Sequence, residues 1–385
     1  MKEILTLNAI SPLVNKVLKD DYLVTNNSEN PIGILVRSFD MHSYNLPSSV
    51  LAVARAGAGV NNIPFEEYAK QGVVVFNTPG ANANAVNELV ITALLLASRK
   101  IIPAIEWTKT LKGKEDISKL VEKGKKDFVG RELLGKKLGV IGLGAIGSRV
   151  ANSAISLGME VLGYDPYLSV MSALHLSRHV EITQDIEDIF KTCDYITLHV
   201  PMTDKNKGMI NAIKIAEMKQ DVAIINLARG ELVDTNDIIE GVRSGKVSRY
   251  ITDFPSDALI GEENIVCIPH LGASTPEAED NCAVMAAKEL KDYIENGNIS
   301  NSVNFPNCSS ARNSAVRVCI IHKNQKNMIA QFTTILGEKH VNIDNFINSS
   351  KGDYAYSIID IPTIDSDIEN ALSSVDGVIK LRVIK

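Results

Sequence analysis

The stretch "LGVIGLGAIGSRVANSAISLGMEVLGYD", residues 138–165, decides the fold. An apolar run, Leu138–Ile141, meets three glycines, Gly142, Gly144 and Gly147, and a helical pattern opens at once. G-x-G-x-x-G alone is a weak signal, because glycine triples also occur in ordinary turns. Between a strand and a helix, each glycine has a physical job. The first makes the tight turn, the second lets backbone approach a pyrophosphate, and the third lets the helix pack on the strand. The helix N-terminus then faces the phosphate charge. The next strand, "EVLGY", leads to Asp165, 18 residues after Gly147. A carboxylate there accepts both hydroxyls of an adenosine ribose and repels a 2′-phosphate, so NAD is expected rather than NADP.

Downstream, "CDYITLHVP", "DVAIINLARG", "YITDFP" and "NIVCIPH" continue the alternation of strand and helix, the pattern of a doubly wound parallel sheet. Upstream lies a second α/β series: "EILTL", "YLVT", "IGILVR", "VLAVARAG" and "GVVVFN". Near-continuous Val/Ile/Leu runs of this length read as buried parallel strands. "NAVNELVITALLLASRKII" is a long helix leaving that region, and "KTLKGKEDISKLVEKGKKDF" (109–128) reads as a solvated helix and loop. After the helix "NCAVMAAKELKDYIENG" comes the polar stretch 298–314, "NISNSVNFPNCSSARNS", the best linker in the chain. Past it, strand, helix, two strands, helix, strand make a small ferredoxin-like βαββαβ module.

At 385 residues the chain is too long for one ordinary core. Its 45% apolar and 22% charged content is that of a soluble globular protein, and the net charge of −6 gives no reason to expect nucleic acid or an anionic membrane. The longest apolar run, "LVITALLLA" at 89–97, falls far short of the ~20 residues a bilayer requires. "MKEILTLNAIS" lacks the cationic start and cleavage site of a signal peptide. Cys193, Cys267, Cys282, Cys308 and Cys319 are scattered, with no C-x-x-C and no His/Cys cluster. A reducing, cytoplasmic setting is expected, and no metal site.

Two candidate catalytic residues stand just past predicted strands: Arg229 in "INLARG" and His270 in "VCIPH". An arginine fork binds a substrate carboxylate through two parallel hydrogen bonds. An imidazole removes a hydroxyl proton while hydride leaves for a nicotinamide. Either alone is more often a surface arginine or a structural histidine; beside a dinucleotide site on the same sheet edge, the catalytic reading prevails. Five carboxylates precede His270: Asp253, Asp257, Glu262, Glu263 and, further off, Asp234.

Taken in order, "GVIGLGAIG", "YDPY", "HVP", "LARGELVD" and "IPHLGASTPEA", with "RAGAGVNNI" and "VVVFNTPGANANAVNELV" upstream, resemble the D-2-hydroxyacid dehydrogenases over roughly residues 33–305. The resemblance implies two doubly wound parallel-sheet domains. A flavodoxin-like substrate domain would hold 1–89 and 284–305, and a Rossmann NAD domain 90–283 would be inserted into it. It also implies cofactor contacts at Gly142, Gly144, Ala145, Ile146, Gly147, Asp165, His199, Val200, Pro201, Leu227, Ala228, Asp253 and Gly272. Substrate contacts would fall at Arg37, Ser38, Gly59 and Val60. The family's catalytic arginine and histidine fall on Arg229 and His270. Its third member is usually a Glu in Asp-Val-Phe-x-x-Glu-Pro, where this chain has Thr252-Asp253-Phe254-Pro255-Ser256-Asp257-Ala258. Anchored on Phe254, the partner of His270 is Asp257, with Asp253 and then Glu262 or Glu263 as alternatives. The shift of the acidic residue from the Thr252 position to Asp253 would turn a strand side chain to the other face.

After the linker 306–313, the module 314–385 is similar to the ACT domains, which sense small ligands. Their serine-binding members imply His322, Asn324 and Asn342 as effector residues. Lys326-Asn327 replaces the usual Pro-Gly beside them, and a dimerisation module that binds nothing is the alternative. A family member with this tail is expected to oxidise 3-phosphoglycerate with NAD, to answer to L-serine and to form a homodimer or homotetramer. The phosphate contact is open among Arg37, Arg55 and the lysines of 109–126. The rivals are a glyoxylate/hydroxypyruvate or D-lactate reductase and a catalytically silent NAD-sensing protein.

Overall fold

The computed structural model describes residues 1–385, apart from the side chains of Asp20 and Met171. The chain forms two compact units, Met1–Asn82 with Pro276–Lys385, and Ala83–Thr275.

In the first unit, β1 (Lys2–Leu7), β2 (Tyr22–Thr25), β3 (Gly33–Val36), β4 (Ala52–Arg55) and β5 (Val74–Phe76) form a parallel sheet in the order β2-β1-β3-β4-β5. All four residues of β3 are buried, as its unbroken apolar run demands when helices cover both faces. The helix Pro276–Asn296 returns to this sheet. Its Cys282, Ala283, Ala286, Ala287, Leu290, Tyr293 and Ile294 recur at helical spacing and enter the same core as Ala52, Ala54 and Phe76.

The second unit is a seven-stranded parallel sheet built from β6 (Lys137–Ile141), β7 (Glu160–Tyr164), β8 (Val180–Thr183), β9 (Tyr195–Leu198), β10 (Val222–Asn226), β11 (Val247–Thr252) and β12 (Ile265–Cys267). Its order is β12-β11-β10-β9-β6-β7-β8, so the strand sequence reverses between β6 and β9. That reversal opens a crevice at the carboxyl ends of the strands. The helix Ala83–Ser98 belongs wholly to this unit, with Val86, Val90, Ala93 and Leu94 sharing a core with Val140 and Val150. The units therefore change between Asn82 and Ala83 and between Thr275 and Pro276, at helix starts. The expected boundaries at 89/90 and 283/284 fall inside the helices Ala83–Ser98 and Pro276–Asn296, each of which lies within one unit.

The C-terminal residues form an antiparallel sheet of β13 (Val316–Lys323), β14 (Asn345–Lys351), β15 (Tyr354–Ile361) and β16 (Val378–Ile384), in the order β14-β15-β13-β16. Alternation along β13 sends Val316, Val318 and Ile320 to a core shared with Phe332, Leu336 and Leu372 of two helices. Cys319 and Ile321, facing the other way, join Tyr356 and Ile358 in the core of the first unit, beside Tyr293 and Phe305. A fully buried ion pair, Arg317–Asp360 at 2.6 Å, and the Tyr356 hydroxyl donating to Gly297 O at 2.6 Å fasten this face. The Asn/Ser-rich stretch before it is held as well. Asn304 accepts from Val75 N–H at 2.9 Å and donates to the carbonyls of Phe65 and Val73. Among the described residues no helix is long and apolar enough to cross a membrane.

Candidate active site

Register gathers the candidate residues of the second unit. Ile141 pairs with Tyr164 and Leu198, Leu198 with Asn226, Asn226 with Thr252, and Thr252 with Cys267. Gly142, Asp165, His199, Leu227 and Asp253 therefore each stand one residue past a paired strand end. They line a single edge, because every strand runs the same way.

The glycines are used as their spacing requires. Gly142 has φ +94°, and a Cβ on it would lie 2.5 Å from the carbonyl oxygen of His199. A Cβ on Gly147 would lie 1.8 Å from Gly142 O, so the helix Gly147–Ser156 closes on the turn only without one. At Gly144 a Cβ would meet nothing within 4 Å, which leaves exposed backbone at Gly144 and Ala145 open to a ligand, with Ile146 packed beneath. This cradle fits a dinucleotide's pyrophosphate. Asp165 accepts Leu143 N–H and Tyr167 N–H at 2.9 Å each, which fixes its carboxylate and leaves lone pairs for ribose hydroxyls. His199 Nε2 lies 3.0 Å from Thr197 Oγ1, and burial holds its pKa down to about 3, so the ring is neutral. Val200 packs at Gly142, and the carbonyl of Pro201 accepts from Asn206.

Arg229 is exposed on the loop beyond β10. The buried Asn226 shapes that loop: its Nδ2 donates to Arg229 O at 2.8 Å and its Oδ1 accepts from Ala228 N–H at 3.2 Å. Arg229 Nη1 donates to Ala228 O at 2.6 Å. His270 is exposed, adopts φ +47° and donates its backbone N–H to Asp253 O at 3.1 Å. Its ring meets Phe254 edge-on at 4.9 Å between centroids.

The structure gives the five carboxylates different surroundings. Asp234 caps the helix Thr235–Arg243, accepting from Asn236 and Asp237 N–H. Glu262 is gripped by both arms of Arg243, at 2.6 and 3.1 Å. Glu263 and Asp257 are exposed. Asp253 is buried, 2% exposed, and accepts the N–H of Gly272. Its Oδ1 has no partner among the described residues. Burial pushes its pKa up, and the charges of His270 and Arg229 pull against that. Among the described residues no carboxylate hydrogen-bonds the His270 ring.

In the first unit Arg37, just past β3, pairs with Glu279 at 2.6 Å, and Ser38 is exposed. Gly59 and Val60 occupy the turn after β4, where Asn77 Nδ2 donates to Ala58 O at 2.6 Å. In the C-terminal module His322 is buried, with Nε2 3.1 Å from both Asn348 Oδ1 and Ser357 Oγ. Asn324 donates to Gly352 O and Asn342 to Asp344. Asn327 takes the left-handed φ of +71° in the position where the resemblance places a glycine. Sequence reasoning missed Asn226, Glu279 and the role of Phe254, since their importance rests on contacts rather than on spacing.

Residues 91–272 match the family model for the D-isomer specific 2-hydroxyacid dehydrogenase NAD-binding domain. The chain is similar to the D-3-phosphoglycerate dehydrogenase of Haemophilus influenzae, 31% identical across 87% of this chain and 81% of that one. It is also similar to that of Methanocaldococcus jannaschii, 38% identical over 66% of this chain and 48% of the relative. The match thus spans about half the length of the archaeal relative, and 60% of the human one. Among solved structures, an NAD+-bound 3-phosphoglycerate dehydrogenase from Entamoeba histolytica superposes with TM-score 0.62 at 27% identity, covering 78% of this chain and 98% of that one.

Proposed function

Because the chain belongs to the D-isomer specific 2-hydroxyacid dehydrogenase family, we propose that it oxidises D-3-phosphoglycerate to 3-phosphohydroxypyruvate with NAD, the entry step of L-serine synthesis. The observation that carries this reading is the single sheet edge on which the glycine cradle, Arg229 and His270 stand together. NAD, when bound, supplies the nicotinamide ring that takes hydride from C2 of the substrate. The residues of the chain do the rest. Arg229 holds the substrate carboxylate and the C2 oxygen with its fork. His270 takes the C2 hydroxyl proton, its ring steadied by Phe254. A negative charge beside the ring favours the imidazolium that forms, and the buried Asp253 supports that role better than the exposed Asp257. Asp253 Oδ1, left without a partner, also fits a donor of the cofactor.

Arg37, Ser38, Gly59 and Val60 bind substrate on the same reading, and Arg37, Arg55 and the lysines of 109–126 are the candidates for its phosphate. L-Serine acts as an effector through His322, Asn324 and Asn342, and the chain works as a homodimer or homotetramer. Five free thiols suit the reducing cytoplasm. The test is NAD reduction with D-3-phosphoglycerate, compared with D-lactate and with NADH-dependent reduction of hydroxypyruvate. Preference for the phosphorylated acid is expected; turnover of the unphosphorylated acids alone would move the assignment to a reductase of the same family.

A further inference from the structure

Within the first unit, we propose that Lys351 of the C-terminal module is a positioning residue for the substrate-binding turn Gly57–Val60. The inference rests on the assignment of Gly59 and Val60 to the substrate.

A chain of hydrogen bonds linked through backbone carries it. β14 and β15 are joined by a tight turn at Gly352, φ +57°. Asn324 grips that turn twice, through its backbone N–H to Asp353 O at 2.8 Å and its Nδ2 to Gly352 O at 3.0 Å. Lys351, at the base of the turn, donates from Nζ to the carbonyls of Ser302 and Val303, both at 3.0 Å. Desolvation pulls its pKa below the usual lysine range, and an ammonium shared between two carbonyls makes charge-assisted bonds. The gripped residues are themselves paired to the end of β5. Val303 N–H donates to Val75 O at 2.9 Å, Ser302 bridges Phe76, and Asn77 N–H donates to Asn301 O at 3.3 Å. From there Asn77 Nδ2 reaches Ala58 O at 2.6 Å, and Thr78 N–H reaches Gly57 O at 3.1 Å. Hydrogen bonds joined by short stretches of backbone make up the run, which ends on the turn that carries Gly59 and Val60.

Other contacts hold the module without touching that turn. Arg382 donates to the carbonyls of Tyr293 and Ile294, Tyr356 to that of Gly297, and Arg317 to that of Asn296. Loss of the Lys351 ammonium therefore leaves the module docked and the relay open. That difference separates positioning from simple attachment.

Lys351→Met keeps the apolar stem and removes the donors. With the melting temperature unchanged, the Michaelis constant for D-3-phosphoglycerate should rise about fivefold to tenfold, roughly 1 kcal/mol, while kcat and the constant for NAD stay put. Lys351→Arg should recover most of the loss. Asn77→Ala should raise the same constant, and the double variant should be no worse than the poorer single one, as expected of one shared path. Amide hydrogen exchange at residues 57–60 should quicken in Lys351→Met whether or not substrate is present. Unchanged exchange at the turn in a folded Lys351→Met, together with an unchanged Michaelis constant, overturns the proposal. If the wild-type protein does not turn over D-3-phosphoglycerate, the functional assignment fails while the exchange measurement still decides this one.

Discussion

His270 and Asp253 show what a single residue position decides. Among the described residues no carboxylate bonds the imidazole at the sheet edge, and the buried Asp253 accepts the backbone N–H of His270 through its carbonyl. In the oxidising direction the imidazole accepts the C2 hydroxyl proton, and a carboxylate beside it steadies the imidazolium that forms. Asp253→Asn should therefore lower kcat/KM by about tenfold or more, while Asp257→Asn should leave it near the wild type. The reverse pattern, read from steady-state kinetics, would make Asp257 the partner. The sequence placed both acids near His270 and ranked Asp257 ahead of Asp253. Counting from Phe254 selects Asp257, while strand pairing that stops at Thr252 buries Asp253. Only register shows where pairing ends.

At the level of elements, the glycine turn separates folding from binding. Gly147→Ala forces a Cβ into Gly142 O and should cost about 3 kcal/mol of stability by denaturant melts. Gly144→Ala meets no neighbour and should melt like the wild type, while NAD binding by calorimetry weakens by about tenfold or more. The helix Pro276–Asn296 carries a second readout. Glu289, with Oε1 bonded to Asn301 and Oε2 unpartnered, has its pKa raised by burial to about 8. A carboxyl raised in the folded state contributes stability below its ordinary range and loses it as pH climbs through about 8. Glu289→Gln should therefore melt higher than the wild type near about pH 9 and alongside it near about pH 5; equal melting at both would rule out a buried neutral carboxyl. Strands and helices were legible in the sequence because their apolar periods are long and regular. The stretch 298–314 was not, because the asparagines and serines that signal a loose linker are the same residues that bond buried backbone, as Asn304 does.

For the whole chain, the order of two parallel sheets and an antiparallel module could be read from the sequence. What covers the module's second face could not. Cys319 and Ile321 look like the alternate residues of any strand, and nothing in their pattern names Tyr293 or Phe305 as neighbours. Because that face is part of the first unit's core, truncation after Asn313 should lower the melting temperature and promote self-association, seen by light scattering. A truncated chain that melts like the full one would mean the shared core contributes little. The central claim, dehydrogenase chemistry driven by His270 at the edge of the second sheet, is met most directly by following NAD reduction with D-3-phosphoglycerate in the wild type and in His270→Asn, with NAD affinity measured in both. Turnover that falls about 10²-fold to 10⁴-fold while NAD still binds is the expected result. Turnover that survives the substitution, or a wild-type protein that binds NAD and reduces none, would contradict it.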